Sequence, residues 1–185
     1  MMTVAKKIPV LTLEDFILQY EGTRFQYIDG EAVESQAVTP DHSFAQSALA
    51  GTLWPLFNRK GGPNRPGGWW ILTEAAVRYG KTLCSHDLAG WHRQRLPQRP
   101  RSFPILDRPD GVCEILSTNL SDDLVKKKNI LQEYEVPYYW IADCAAKTIS
   151  VLELSNKGYT IVLAVDATFK GRLRPLRAGF HLLMP

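Results

Sequence analysis

The chain has 185 residues, 45% of them apolar, and a formal charge of +3. That length and composition suffice for one domain with a real core, expected to span residues 1–185. Pro, Gly or charge interrupts every apolar run well short of membrane-spanning length, which excludes a transmembrane helix. Cys84, Cys113 and Cys144 are scattered and form no Cys-x-x-Cys pair, so neither a zinc knuckle nor a disulfide framework is indicated. The N-terminus has no sustained apolar region of the kind a secretory signal needs. A cytoplasmic setting follows as the expectation.

In chain order, LTLEDFILQY reads as a short helix with Thr12 as N-cap and Glu14 and Asp15 in its first turn. FQYIDGEAVES reads as a hairpin turning at Asp29-Gly30. From Pro40 to Phe57 the period becomes helical, with Asp41 as cap and Phe44, Ala48, Leu49 and Leu53 as the apolar face. The Gly61–Gly68 stretch, GGPNRPGG, is a loop without the Gly-Lys-Ser/Thr ending of a phosphate-binding loop. WWILTEAAVRYG and LCSHDLAGWH are two strands joined around Gly80-Lys81. HRQRLPQRPR, His92 to Arg101, gathers four arginines among prolines with no hydrophobic period, the pattern of an extended connector or basic arm. GVCEILS is a further strand, followed by a lysine-bearing helix. PYYWIADC, KTISVLELS and YTIVLAV close the chain as strands, with turns at Ala145-Ala146 and Asn156-Lys157-Gly158. The class is α/β, a mixed sheet flanked by helices.

Glu114 is the chemical anomaly. It shares one strand face with Val112 and Leu116, where an ionised carboxylate costs several kcal/mol unless it is paired or binds a cation. The bland alternative is an edge strand whose Glu faces water. At about 100° per residue, Leu124, Ile130, Leu131 and Tyr134 cover one arc of the following helix. Lys127 falls inside that arc, and Lys126 and Lys128 fall at or beyond its borders. Helical phase therefore aims one of three consecutive lysines at the core, where Glu114 is its natural partner; the alternative is a lysine that snorkels outward. Asp87 places a second carboxylate inside an apolar strand. Two carboxylates from neighbouring strands with backbone carbonyls form a hard oxygen site suited to Mg2+ or Mn2+.

HDLAGWHRQRLP, PDGVCEILS, DDLVKKK and VPYYWIAD, in this order, resemble the Uma-type restriction-endonuclease family, which has the PD-(D/E)XK nuclease-like fold. The resemblance runs from LTLEDF to the final strands. It implies Asp87 and Glu114 as metal ligands and Lys127 as a catalytic lysine carried on the helix, since Leu116 stands where other nucleases of the fold have theirs. Glu74 matches a recurrent family acid and is an accessory candidate, with an exposed strand Glu as the equal alternative. His42 is another, near phosphate or the metal's outer shell, or else structural at its helix terminus. The chain departs from the family at His86 and His92, where Pro and Arg are usual, at Phe25-Gln26 for Tyr-Glu, and at Ser117-Thr118-Asn119 for Ser-Pro-Ser.

The expected function is Mg2+- or Mn2+-dependent hydrolysis of DNA phosphodiester bonds, with a homodimer allowed and no membrane partner. Arg93, Arg95, Lys126 and Lys128 are the candidate nucleic-acid contacts. Tyr138, Tyr139 and Trp140 offer base stacking, although aromatics in a strand more often build the core. Two alternatives stand beside this reading. One is a catalytically inactive nuclease-fold protein acting as a nucleic-acid-binding or interaction module. The other is an enzyme acting on a small phosphate ester.

Overall fold

The computed structural model describes residues 8–9, 12–23, 25–28, 30–34, 38–62, 67–116, 121–166, 172–173 and 182–183. Asp29 of the hairpin turn, the centre of the 61–68 loop and the 117–120 segment lie outside the described residues. The elements in chain order are β1 (Ile8–Pro9), α1 (Leu13–Tyr20), β2 (Phe25–Ile28), β3 (Glu31–Glu34), α2 (Pro40–Phe57), β4 (Trp69–Tyr79), β5 (Thr82–His92), β6 (Gly111–Leu116), α3 (Ser121–Glu133), β7 (Tyr138–Asp143), β8 (Thr148–Ser155), β9 (Gly158–Asp166), β10 (Arg172–Leu173) and β11 (Leu182–Leu183).

The expected mixed sheet flanked by helices is present. Among the described residues, nine strands form one sheet in the order β1-β3-β2-β5-β6-β7-β8-β9, with β4 along the remaining edge of β5. Its neighbours are antiparallel except β6 and β7, which run parallel because α3 carries the chain back across the sheet. β10 and β11 pair separately.

Local chemistry explains most boundaries. Thr12 caps α1 by accepting the Asp15 amide, and Glu14 and Asp15 occupy the first turn, as expected. At α2 the cap is Thr39 rather than Asp41. The Thr39 hydroxyl accepts the His42 amide and Pro40 takes the first turn, where its missing N–H is not needed. The expected apolar face of α2 also needs correction, because Phe44 is 77% exposed while His42, Leu53 and Phe57 are buried. Phe44 lies roughly 200° around the helix from both His42 and Gln46, and those two polar residues are the ones turned to the sheet.

The core has two principal layers. Leu53 and Phe57 of α2 pack with Trp69, Ile71, Leu88, Cys113, Ile115, Tyr138 and Trp140. Leu131 of α3 and Val136 pack on the opposite face with Ala75, Val77, Tyr79, Cys84, Ala89, Val112 and Tyr139. The aromatic run Tyr138 to Trp140 therefore lies in the core, split between both faces.

One feature of these layers shapes the site. Strict alternation would keep Trp69, Ile71, Ala75, Val77 and Tyr79 on one face. Instead β4 changes face near Glu74, whose φ of 50° lies in the left-handed region. β5 changes face beside it, with Cys84 in the α3 layer and Leu88 in the α2 layer. The register still runs from Thr73↔Leu88 to Ala75↔His86 across the break, so Glu74 and Asp87 lie opposite one another at the discontinuity.

Candidate active site

The β5–β6 ladder pairs Gly90 with Gly111, Ala89 with Val112 and Leu88 with Cys113, and then stops. Its next position would set Asp87 against Glu114. There the strands part, and the Asp87 side chain takes over from the backbone, Oδ2 accepting the Ile115 amide at 2.6 Å. Further back along this edge, among the described residues, β2 meets β5 only at Tyr27↔Leu83. In the gap between the two partners, Gln26 Oε1 accepts the Ser85 amide at 3.1 Å and the Ser85 carbonyl accepts from Lys127 Nζ at 3.1 Å. Side chains thus satisfy backbone groups that a continuous sheet would have paired.

Glu114 lies within this gap and is buried, as are Lys127 and His86. Its Oε2 accepts from Lys127 Nζ at 2.7 Å, and its Oε1 lies 2.6 Å from His86 Nδ1. His86 Nε2 in turn meets the Tyr79 hydroxyl at 2.8 Å. Burial pushes the Glu114 carboxyl up, but the Lys127 ammonium and His86 outweigh it and hold the group below the usual range. An ionised carboxylate only accepts, so His86 Nδ1 donates; in the neutral ring Nε2 then accepts from the Tyr79 hydroxyl. Burial also raises the Tyr79 phenol well above its ordinary value, which keeps that proton in place.

Asp87 is shifted the other way. Burial, and then the nearby Glu114 charge, raise it to about 6 against the opposing pull of the Ile115 amide, His42 and Lys127. His42 Nε2 lies 3.0 Å from Asp87 Oδ1. Gln46, one turn further along α2, donates to the Asp87 carbonyl at 3.0 Å and to the Glu74 carboxylate. The two strand carboxylates therefore titrate apart, one held ionised and one protonating readily. Such separation gives neighbouring acids different chemical roles.

Of the sequence candidates, Asp87, Glu114, Lys127 and His42 come together, and Glu74 stands on the exposed side through Gln46. Lys126 is exposed and Lys128 half-buried on the same helix. Arg93 and Arg95 lie beyond the end of β5, on the order of 20 Å along the strand from Asp87. There Arg93 stacks over Trp70 at 3.4 Å from the ring centre and donates to the Trp69 carbonyl, and Arg95 pairs with Asp110 at 2.7 Å. Among the described residues, no three or more His, Cys, Asp and Glu side chains are grouped so as to hold a metal ion.

The family model described as "Putative restriction endonuclease", Uma2, matches residues 13–182. The chain belongs to this family. A solved structure described as "a putative nuclease belonging to DUF820 from Anabaena variabilis" is similar to it at 20% identity, with a TM-score of 0.71 over 94% of this chain and 95% of that one. At that identity the likeness establishes the fold. No curated protein matches the chain.

Within this Uma2 chain, the sequence reading missed Gln46, the Tyr79–His86 pair, the Ser85 carbonyl and Asp110. His86 carried a legible signal as a second polar residue beside Asp87 in an apolar strand. Asp110 is buried just before β6, where it accepts the His92 amide at 2.6 Å as well as Arg95. Gln46 gave no signal, because a Gln on a helix is ordinary until the helix is docked.

Proposed function

We propose that this Uma2 protein is a divalent-metal-dependent endonuclease hydrolysing DNA phosphodiester bonds, with Asp87 and Glu114 as metal ligands. The observation that carries this reading is the meeting of Asp87, Glu114 and Lys127 where β5 and β6 part. The donor set fits Mg2+ or Mn2+, since both carboxylates offer hard oxygens and each oxygen keeps a lone pair beyond the hydrogen bond it accepts. A bound divalent ion would supply charge neutralisation at the phosphate and a water of lowered pKa. Lys127, anchored on Glu114 and the Ser85 carbonyl, places its ammonium to orient the attacking water or balance developing charge. His42 and Ile115 hold the Asp87 carboxylate in one orientation. Glu74 is the accessory acid on the exposed side.

The test is a Mn2+ titration of wild type, Asp87→Ala and Glu114→Ala, with plasmid nicking in Mg2+ as the activity readout. Metal affinity lost in both variants, with nicking by wild type alone, is the expected result; equal affinity in all three proteins ends the proposal. A second reading, a non-catalytic nucleic-acid-binding module on the same fold, draws on one observation: all four carboxylate oxygens already have protein partners. Salt-sensitive DNA binding with no nicking under either metal would establish it.

A further inference from the structure

His86 has no role in the proposed chemistry, yet it is 1% exposed and bonded at both ring nitrogens. We infer that His86, held by Tyr79, is a positioning residue that fixes the Glu114 carboxylate against Lys127 and so sets the metal affinity of the site. This rests on the metal-binding reading of Glu114.

The geometry supports it at each step. Glu114 has two oxygens and two buried donors, His86 on Oε1 and Lys127 on Oε2. Lys127 alone would leave the carboxylate free to rotate about its own axis, because one point charge fixes one oxygen. A second donor on the other oxygen, from a different strand, removes that freedom. The imidazole is fixed in its turn, because Tyr79 is 1% exposed and its hydroxyl faces Nε2. Tyr79 and His86 lie on paired strands four register steps apart, since Tyr79 pairs with Thr82 and Ala75 with His86 while the hairpin turns at Gly80-Lys81. The β4–β5 hairpin therefore carries a rigid brace to a carboxylate on β6. Partners of this kind behind a ligating group typically set affinity by one to two orders of magnitude.

The inference is tested with Mn2+ titrations of the full chain. Tyr79→Phe removes one hydroxyl and His86→Leu removes the donor, and each is expected to weaken Mn2+ binding roughly 10–100-fold. His86→Asn, whose amide N–H sits near the Nδ1 position, is expected to recover most of that loss. A purely structural His86 would lower the melting temperature without this pattern of loss and rescue in metal affinity. Wild-type affinity in folded Tyr79→Phe and His86→Leu proteins, while Asp87→Ala has lost the metal, overturns the inference and leaves the proposed function standing. Should wild type bind no Mn2+, the proposed function fails and the claim on metal affinity fails with it, leaving the positioning of Glu114 by His86 to be judged. The brace is then judged by nitrogen NMR of the metal-free protein. A single Nδ1-protonated His86 ring whose unprotonated Nε2 resonance moves in Tyr79→Phe upholds it, and a tautomer mixture in wild type or an unmoved Nε2 resonance overturns it.

Discussion

Lys127 donates to Glu114 at 2.7 Å inside the protein, and the same ammonium reaches the Ser85 carbonyl on β5. One side chain of α3 thereby ties together two strands that have ceased to pair with each other. Breaking a buried pair from one side leaves an uncompensated charge, so Lys127→Met is expected to cost about 3–5 kcal/mol. Exposed Lys126→Met should stay within about 0.5 kcal/mol. Combining Glu114→Gln with Lys127→Met should recover a large part of the loss, because no buried charge is then left unpaired. Urea unfolding of these three variants and of Glu114→Gln alone measures each term and their coupling.

Asp87 makes the opposite contribution. Folding raises its carboxyl from 3.8 to about 6, so the folded chain takes up a proton across that interval. The associated stability is fully present below about pH 4 and is lost as pH rises through about 6. Asp87→Asn keeps an acceptor for the Ile115 amide and removes the charge. It should match wild type near pH 4 and exceed it at pH 7 by an amount on the order of 1–3 kcal/mol. Mn2+ competes with the same proton, so wild-type affinity should fall as pH drops below about 6. Unfolding curves and Mn2+ titrations from pH 4 to 7.5 check both; a flat stability difference across that range would refute the assignment.

Glu74 sits at φ 50° opposite Asp87, where both strands change face. A β-branched residue tolerates that conformation poorly, so Glu74→Val should destabilise by about 1–3 kcal/mol. Glu74→Gly relieves the backbone and should be close to neutral, the loss of the Gln46 contact offsetting the relief. Thermal melts of both variants decide this, and equal melting temperatures would show that the left-handed backbone carries no strain.

How far the sequence could be read follows the same physics. Lys127 was legible because helical phase is local: the stretch from Leu124 to Tyr134 suffices to show which lysine faces inward. Glu114 was legible because a carboxylate in an apolar strand must be explained. The α1 cap and the β4–β5 turn depend on chemistry within four residues and came out as expected. Thr39 as the α2 cap was equally local, but Asp41 offered a competing cap two residues on. What lay beyond reach depends on docking. His42 and Asp87 are 45 residues apart, and only the seating of α2 on the sheet turns His42 inward and Phe44 out. The face change at Glu74 has no sequence signature, since nothing in TEAAV announces a left-handed Glu. The two histidines show the limit most clearly, one named from its helix position and the other noted only as a departure, yet each is bonded to one of the two carboxylates.

The basic residues divide by what already holds them. Arg95 donates to Asp110 and to the Arg108 carbonyl, and its removal leaves the buried Asp110 carboxylate short of a charged donor. Arg95→Ala should therefore cost on the order of 1–3 kcal/mol and move the melting temperature. Lys126 is exposed on the helix that carries Lys127, one residue from the ammonium proposed to face the phosphate. Lys126→Ala should leave stability unchanged. If Lys126 meets a backbone phosphate, the variant should lower the slope of log K against log salt for duplex DNA by about 0.9. Binding isotherms from 50 to roughly 200 mM salt, the range over which such contacts are lost, read that slope directly. An unchanged slope in Lys126→Ala would place the DNA on another face of the protein and remove α3 from the interface.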